Sequence, residues 1–267
     1  MNNVNKTLYI PLYGKAYVSK KGVILHDEKA EEIWDAEGFE LKGKARSKWL
    51  AYNMGMRSAV FDQWLKKQMD LDSGAVIIHI GCGMDSRVLR VGTGQHAWYD
   101  IDFPDVIRER KRYYKESDEY HMIESDARNN NWIDSLPKNK NAIIVMEGVS
   151  MYFQRSELTR LLKNLVSRFQ KVAILMDCYT VFAAKASKYK NPVNDVGVTV
   201  LHGIDDPKIL EKDTGLVYIR EHDLTPEVLI NELSGMEKVV FKKLFAGKFA
   251  KKIYRLYEYK SKLKVAQ

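Results

Sequence analysis

The chain has 267 residues, of which 45% are hydrophobic and 29% are charged, with a formal net charge of +8. A chain of this size can bury one sizeable α/β core, and its composition lacks the signature of disorder. The N-terminal residues contain no apolar run long enough for a signal peptide or a membrane span, so we expect a cytoplasmic protein without a membrane partner. We expect its two cysteines, Cys82 and Cys178, to be reduced core thiols.

The positive charge is concentrated near the C-terminus. Residues 238–264 contain ten Lys or Arg and one acid, Glu258, a surplus of nine that leaves the rest of the chain at −1. Two basic strands are predicted there, at about Val239–Leu244 and Lys252–Tyr259. Lysines on such strands usually face solvent or protect a sheet edge, so we do not expect nucleic acid as a partner. An anionic partner is the alternative.

The first 70 residues are predicted to be helical. Glu28–Phe39 and Met56–Met69 carry apolar residues at helical spacing, and no strand-like run accompanies them. Arg57 lies at the start of the second helix. An arginine there is normally solvated, so a functional role needs support from elsewhere in the chain.

From residue 75 onward strands and helices alternate, which predicts a largely parallel sheet. The predicted strands are Val76–Ile80, Ala97–Ile101, Tyr120–Glu124, Asn141–Met146 and Lys171–Met176. Gly81 and Gly83 follow the first strand, and Asp102 follows the second about 20 residues later. Glycines there let a ligand approach the backbone, and the acid can accept hydrogen bonds from both hydroxyls of a ribose.

The loop after the first strand indicates which nucleoside binds. A dinucleotide site favours Gly-x-Gly-x-x-Gly, but Ser86 stands at the third glycine position. Asp85 also places a negative charge where a diphosphate would lie. S-adenosylmethionine has no phosphate and carries an ammonium and a sulfonium, so an acidic loop suits it better.

Acidic residues recur where the predicted strands end, at Asp102, Asp126, Glu147 and Asp177. Ligands of open α/β sheets bind at the carboxyl ends of the strands, so several of these acids could point into one crevice. The alternative is that they cap the helices that follow. We favour capping for Asp177 and leave both interpretations open for Asp126.

The alternation of strands and helices stops at residues 178–224. Pro192, Gly197 and short apolar runs there indicate an insertion that covers the site. Thr225-Pro226 then opens a helix that ends near Gly235, followed by the two basic strands. We therefore predict a single domain with four parts: 1–70, 71–177, 178–224 and 225–267.

Six motifs occur in order along nearly the whole chain. They are Thr7-Leu-Tyr-Ile-Pro-Leu-Tyr-Gly-Lys-Ala16, Gly81-Cys82-Gly83-Met84-Asp85-Ser86-Arg87, Asp100-Ile101-Asp102-Phe103-Pro104, Asp126-Ala127-Arg128, Glu147-Gly148-Val149-Ser150-Met151-Tyr152 and Leu201-His-Gly-Ile-Asp-Asp206. Together they resemble the motifs of the leucine carboxyl methyltransferase family, especially its bacterial branch of polyketide-tailoring O-methyltransferases. The chain departs from the usual pattern by small changes at Cys82, Ser86 and Ala127.

This resemblance implies a Rossmann-like class I methyltransferase fold. Its sheet is mostly parallel with an antiparallel C-terminal strand and helices on both faces, and the N-terminal helices and the insertion form a lid. It also implies a role for each matching residue. Arg57 would hold the methionyl carboxylate, Gly81 and Gly83 would give backbone contacts, Asp102 would bind the ribose, Asp126 and Ala127 would meet the adenine, and Glu147 would meet the amino-acid end of S-adenosylmethionine.

The chemistry of methyl transfer agrees with this set of residues. The sulfonium already activates the methyl carbon, so positioning and exclusion of water supply most of the help, and no metal is needed. A carboxylate acceptor is ionised at neutral pH, whereas a phenol would benefit from a base. Tyr152 is our candidate for an acceptor-facing side chain and His202 for a base. His79 is expected to be a core histidine.

The predicted activity is therefore S-adenosylmethionine-dependent O-methylation of a carboxylate or hydroxyl on a small-molecule acceptor. One alternative is a protein carboxyl or RNA methyltransferase that uses the basic C-terminal segment. Another is a catalytically silent protein that only binds the cofactor. The sequence does not define the oligomeric state.

Overall fold

The computed structural model describes residues 8–38, 41, 43–187 and 200–262. Thr7, Phe39, Pro192 and Gly197, on which sequence-based predictions fall, lie outside the described residues. The strands are β1 Val76–Ile80, β2 Trp98–Asp102, β3 Tyr120–Glu124, β4 Ala142–Met146, β5 Val172–Tyr179, β6 Leu216–His222 and β7 Tyr254–Ser261. The α-helices are α1 Tyr9–Lys20, α2 Glu28–Glu37, α3 Lys48–Leu71, α4 Arg87–Val91, α5 Pro104–Arg110, α6 Arg155–Arg168, α7 Val181–Ala186, α8 Glu211–Thr214, α9 Glu227–Ile230, α10 Gly235–Leu244 and α11 Lys248–Lys251.

The described strands form one seven-stranded sheet in the order β3-β2-β1-β4-β5-β7-β6. β1 to β5 are parallel, and β7 runs antiparallel between β5 and β6. The predicted sheet with an antiparallel C-terminal strand is therefore confirmed. The strand order reverses at β1, whose neighbours are β2 and β4, and ligands of open α/β sheets bind at such a switch point.

The central strands are buried on both faces, as parallel strands require. In β1, Val76, Ile78 and Ile80 pack into the core on the α6 side, while Ile77 packs into the core on the α3 side. His79 shares the face of Ile77 and is also buried. A histidine on this face therefore lies under the N-terminal helices.

The N-terminal helices pack closely on one another and cover one face of the sheet. A Cβ at Gly14 of α1 would lie 2.6 Å from the Cβ of Met54, and one at Gly55 of α3 would lie 2.8 Å from Cγ2 of Val18. These reciprocal contacts need glycine at both positions, because a larger side chain would force the helices apart. The helix predicted at Met56–Met69 is confirmed but is longer, since α3 starts at Lys48.

The C-terminal segment differs from the sequence-based prediction. The strand predicted at Val239–Leu244 was wrong, because these residues belong to α10. Glu237, Phe241 and Phe245 lie four residues apart, so a helix turns all three toward α3, where Phe245 stacks on Trp49 at a centroid distance of 5.1 Å. The remaining strand of the sheet, β6, instead lies within the predicted insertion at 178–224.

The described residues settle two further expectations. Cys82 and Cys178 are buried and free, as predicted for core thiols. Within the described ranges, the helices are too short or too polar to cross a lipid bilayer.

Candidate active site

A cavity of about 640 Å³ opens at the carboxyl ends of β1, β2 and β4. This volume lies within the range of about 300–1,000 Å³ that is typical of small-molecule sites. The loops after these strands contribute Gly81, Gly83, Asp102 and Glu147 to its wall, and the N-terminal helices contribute Arg57. The structure therefore brings together five of the residues that the sequence singled out.

The loop after β1 is fixed by its glycines. Gly81 and Gly83 have φ angles of 70° and 51°, which L-residues with side chains rarely adopt. A Cβ at Gly81 would lie 2.7 Å from Cγ2 of Val149, so the packing of the neighbouring loop excludes a side chain there as well. The glycines keep the backbone of this loop bare where it faces the cavity.

Asp102 connects the ends of β1 and β2. Its Oδ2 accepts a hydrogen bond from the backbone N–H of Gly83 at 2.7 Å, and its Oδ1 accepts one from the N–H of Phe103 at 2.8 Å. Burial nevertheless raises the pKa of Asp102 above its ordinary value. Each carboxylate oxygen can accept more than one hydrogen bond, so Asp102 retains acceptor capacity for hydroxyl groups in the cavity.

Arg57 is buried and bridges two acids at the ends of β4 and β5. Its Nε lies 3.1 Å from Oε1 of Glu147, and its Nη1 lies 2.8 Å from Oδ2 of Asp177. Asp177 also accepts a hydrogen bond of 2.7 Å from the N–H of Gly148. The interpretation of Asp177 as a helix cap was therefore wrong, because β5 continues to Tyr179 and the carboxylate pairs with Arg57 instead.

The two acids respond differently to this environment. Burial raises the pKa of Asp177 to about 6, although Arg57 opposes the shift. Burial acts in the same direction on Glu147, but Arg87 and Arg57 together lower its pKa to about 2. Glu147 is therefore ionised over the physiological pH range, while Asp177 gains or loses its proton near pH 6.

A second ionic cluster lies behind the loop, and sequence reasoning missed it. Arg87 is fully buried and contacts Asp62 at 2.7 Å, Asp85 at 3.1 Å and Glu147. Asp85 also pairs with Lys15 at 3.1 Å, as well as with Arg90. The sequence argument that Asp85 would repel a diphosphate is weakened, because three cations offset its charge. The arginine after the acidic loop was the available signal.

His79 is buried beneath the cavity, as expected for a core histidine. Its Nε2 lies 3.2 Å from Nη1 of Arg87, and its Nδ1 lies 3.5 Å from Oδ1 of Asp100. Asp100 is itself paired with Arg110 at 2.6 Å. His79 is therefore held between an arginine and an acid, although its ring contributes to the cavity floor.

The other predicted site residues lie in three places. Tyr152 lines the cavity and is half-buried. Asp126 and Ala127 follow β3 at the neighbouring edge, outside the lining, and the Asp126 carboxylate holds Arg128 with its shortest contact at 2.6 Å. His202 lies in a separate surface depression beside Arg155, so the structure does not bring it to the cavity.

Much of the remaining lining of the cavity is apolar. Apolar side chains come from α3, α7, the α10–α11 region and the segment after β4, namely Leu50, Met54, Met151, Phe182, Phe245 and Phe249. The hydroxyl of Tyr254 donates a hydrogen bond of 3.0 Å to that of Tyr179, and both rings line the cavity. One cavity thus joins a polar, acid-bearing part to an apolar part.

The strand order and the cavity at its switch point are those of the predicted Rossmann-like class I methyltransferase fold. A family model described as leucine carboxyl methyltransferase matches residues 6–166, which is more than half of the chain. The chain therefore belongs to the leucine carboxyl methyltransferase family, and it is an S-adenosylmethionine-dependent methyltransferase. The resemblance seen in its motifs is confirmed.

Two relatives match most of the chain. The tetracenomycin polyketide synthesis O-methyltransferase TcmP of Streptomyces glaucescens is 26% identical, and the match covers 90% of each chain. The S-adenosyl-L-methionine-dependent methyltransferase dpfgK of Gibberella zeae is 25% identical, and the match covers 82% of this chain and 81% of that protein. These are proteins to which the chain is similar along most of its length.

Solved structures share the fold at low sequence identity. Magnesium protoporphyrin IX methyltransferase of Synechocystis with bound S-adenosylhomocysteine has a TM-score of 0.51 and 11% identity, and covers 93% of this chain and 97% of its own. A putative sarcosine dimethylglycine methyltransferase of Galdieria sulphuraria has a TM-score of 0.52 and 11% identity, and covers 90% of this chain and all of its own. At this level of identity the likeness concerns the fold.

Proposed function

We propose that this protein transfers a methyl group from S-adenosylmethionine to a carboxylate or hydroxyl oxygen of a small molecule with an apolar body. The observation that carries this proposal is one cavity whose lining contains both the Gly81 loop with Asp102 and a large set of apolar side chains. A cavity of this kind can hold a nucleoside and an apolar acceptor side by side. The similarity to TcmP over 90% of the chain supports oxygen as the acceptor atom.

The polar end of the cavity suits the cofactor in its charges and its backbone. Asp102 would accept hydrogen bonds from the ribose hydroxyls, while the backbone at Gly81 and Gly83 lets the cofactor approach without a side chain between them. Arg57 would bind the methionyl carboxylate, since a guanidinium has five donors and its two acids do not use all of them. Glu147 would attract the ammonium group.

The adenine end of the site is proposed with one adjustment. Asp126 and Ala127 follow β3, next to the strand that carries Asp102, and the N–H of Ser125 donates to the backbone oxygen of Asp102 at 2.9 Å. An adenine lying over this edge would meet Ala127 through its backbone. Asp126 would accept a hydrogen bond from the adenine amino group alongside those from Arg128, which already reach both of its carboxylate oxygens.

Bound S-adenosylmethionine supplies a methyl carbon that is already activated by the sulfonium. The protein then has to orient the acceptor oxygen and keep water away from it. Met151, Phe182 and Phe249 would provide the apolar surface for this, and Tyr152, which lines the same cavity, would face the acceptor. A carboxylate acceptor needs no base, and we no longer assign that role to His202 because it lies outside the cavity.

The chain acts as one domain in this proposal, with residues 1–70 and the insertion at 178–224, apart from β6, as the lid. Within the described residues, Leu8, directly before α1, and Lys15 of α1 line the cavity, and so does Phe182 of α7. Two free thiols at Cys82 and Cys178 are consistent with the reducing conditions of the cytoplasm.

The proposal is tested with S-adenosylmethionine labelled on the methyl group and a panel of aromatic and aliphatic acceptors. The panel contains carboxylic acids, phenols and their blocked derivatives. Label should appear in an acceptor that has a free carboxyl or hydroxyl group. Treatment with alkali then separates the two, because a methyl ester releases labelled methanol and an ether does not. Cofactor binding without transfer to any acceptor would favour the catalytically silent protein.

A further inference from the structure

The outer face of α10 and α11 is both basic and apolar. Residues 235–253 contain six lysines and one acid, Glu237. Glu237 is already paired with Lys21 and with Lys48, the latter at 2.8 Å, so it does not offset the lysines on the opposite face. Lys242 pairs with Glu227 at 2.6 Å. Six of the ten basic residues of segment 238–264 therefore lie on these two short helices or directly after them.

The exposed apolar side chains of the same two helices interleave with these lysines. Met236 is 75% exposed, Val239 57%, Leu244 53% and Phe249 47%. The inward face holds Phe241, which is fully buried. Ala250 of α11 is buried as well. Because each helix is anchored by a buried residue, the mixture of lysines and apolar groups on the outer face is a fixed feature of the fold.

This face borders the apolar part of the cavity. Phe249 of α11 lines the cavity and is also exposed, and Phe182 of α7 has the same two properties, with 68% of its surface accessible. Both rings therefore lie where the cavity opens. Lys252, directly after α11, is exposed and lines the cavity as well.

We propose that the outer face of α10 and α11 binds the surface of an anionic lipid bilayer, with the mouth of the cavity turned toward the lipid. Lysines gain energy beside anionic headgroups, and apolar side chains gain energy by entering the boundary of the acyl chains. The contact is peripheral and needs no membrane-spanning helix. An apolar acceptor dissolved in the bilayer would then be close to Phe249 and Phe182.

The pattern favours lipid over RNA as the anionic partner. RNA-binding surfaces usually combine cations with exposed aromatic rings on which bases stack. Here Met236, Val239 and Leu244, three of the four exposed apolar side chains, are aliphatic and cannot stack with a base in that way. A bilayer uses both the lysines and the aliphatic side chains, whereas RNA would leave the latter in water.

The test measures flotation of the full chain with vesicles of phosphatidylcholine, alone or mixed with phosphatidylglycerol. We expect binding to the mixed vesicles only, with a decrease as salt is raised. The double substitution Lys248→Gln/Lys251→Gln should weaken it about 25-fold, since each lysine near such a surface contributes about fivefold, or about 1 kcal/mol. Both lysines are exposed and lie outside the cavity lining, so folding and cofactor binding should be unchanged.

A matched control tests whether the position of the lysines matters, and a second variant tests the contribution of the apolar side chains. Lys66→Gln/Lys67→Gln removes the same charge from exposed positions near the far end of α3, about 27 Å along the helix from Lys48, and should leave vesicle binding unchanged. Val239→Ser/Leu244→Ser should weaken vesicle binding while keeping every lysine.

Three results would overturn the proposal. They are equal loss of vesicle binding in both lysine variants, no binding to mixed vesicles, or binding to a single-stranded RNA that the serine variant leaves unchanged. The last result would assign the face to RNA. Because the vesicle experiment contains no acceptor and no cofactor, its outcome is independent of the methyl-transfer assay.

Discussion

Replacing Asp102 should weaken cofactor binding while leaving the protein folded. In the proposed complex the carboxylate accepts two hydrogen bonds from the ribose, in addition to those from the N–H groups of Gly83 and Phe103. A hydrogen bond to a charged group contributes about 1.5–3 kcal/mol, which is about 10- to 150-fold in affinity for each bond. Asp102→Ala should therefore bind S-adenosylhomocysteine at least tenfold more weakly in a calorimetric titration.

Two further variants isolate this effect from damage to the loop. Asp102→Asn keeps one acceptor oxygen for the backbone but loses the charge, so it should fall between wild type and Asp102→Ala. Asp105→Asn neutralises an exposed carboxylate three residues away, outside the cavity lining, and should bind like wild type. If Asp102→Ala binds S-adenosylhomocysteine as tightly as the wild-type protein, Asp102 does not hold the ribose.

Three other predictions concern the same cavity. Arg57→Met leaves Glu147 and Asp177 without their shared cation, so it should lower the free energy of unfolding, measured by urea titration, by about 3–5 kcal/mol. A loss below about 1 kcal/mol would contradict the buried pairing. The pKa of Asp177 is raised to about 6, so the free energy of unfolding of the wild-type protein should fall by up to about 3 kcal/mol relative to that of Asp177→Asn as pH rises from about 4 to 6. The same pH dependence of unfolding in the two proteins would contradict this. Tyr152→Phe should raise KM for the acceptor and leave the affinity for S-adenosylhomocysteine unchanged. Weaker binding of S-adenosylhomocysteine would instead indicate that Tyr152 contacts the cofactor and not the acceptor.

The pH prediction for Asp177 depends on the sign of the shift. The folded protein holds a proton on this carboxyl up to about pH 6, while the unfolded chain releases it near pH 4. The folded state therefore binds more protons in this window, and its stability falls as pH rises. Glu147 does not mask the effect, because its pKa of about 2 produces a dependence only below about pH 4.5.

The central sheet was predictable because its strands are short, β-branched and ended by glycine or acid. β1 and β4 match their predicted bounds to within one residue. The C-terminal segment was harder because Val239-Val240-Phe241 fits a strand as well as a helix. The helix is favoured by the packing of Phe241 against Tyr52, at a ring-centroid distance of 5.8 Å. These two residues are far apart in the sequence, so local sequence patterns do not reveal the contact.

The position of α1 within the predicted helical segment 1–70 was not predicted, for a different reason. Its buried positions include Gly14, Lys15 and Ser19, so its inward face does not read as an apolar stripe. Gly14 is buried because α3 approaches closely, and Lys15 because it pairs with Asp85. Neither cause is visible within twelve residues of sequence.

The sequence singled out individual residues that line the cavity, but not the pairs that they form. The acids at the strand ends follow from the parallel sheet, which fixes where Asp102 and Glu147 emerge. The partners of Arg57 lie 90 and 120 residues along the chain, at Glu147 and Asp177, so only the folded structure could assign them. The same is true of Arg87.

The most direct test of the methyltransferase site is a calorimetric titration of the wild-type protein with S-adenosylhomocysteine, with NAD as the control ligand. The protein should bind S-adenosylhomocysteine, through the segment from Gly81 to Asp102, with a Kd of about 1 μM or below, which corresponds to about −8 kcal/mol. It should not bind NAD. Binding of NAD, or of neither ligand, would contradict the assignment of this cavity.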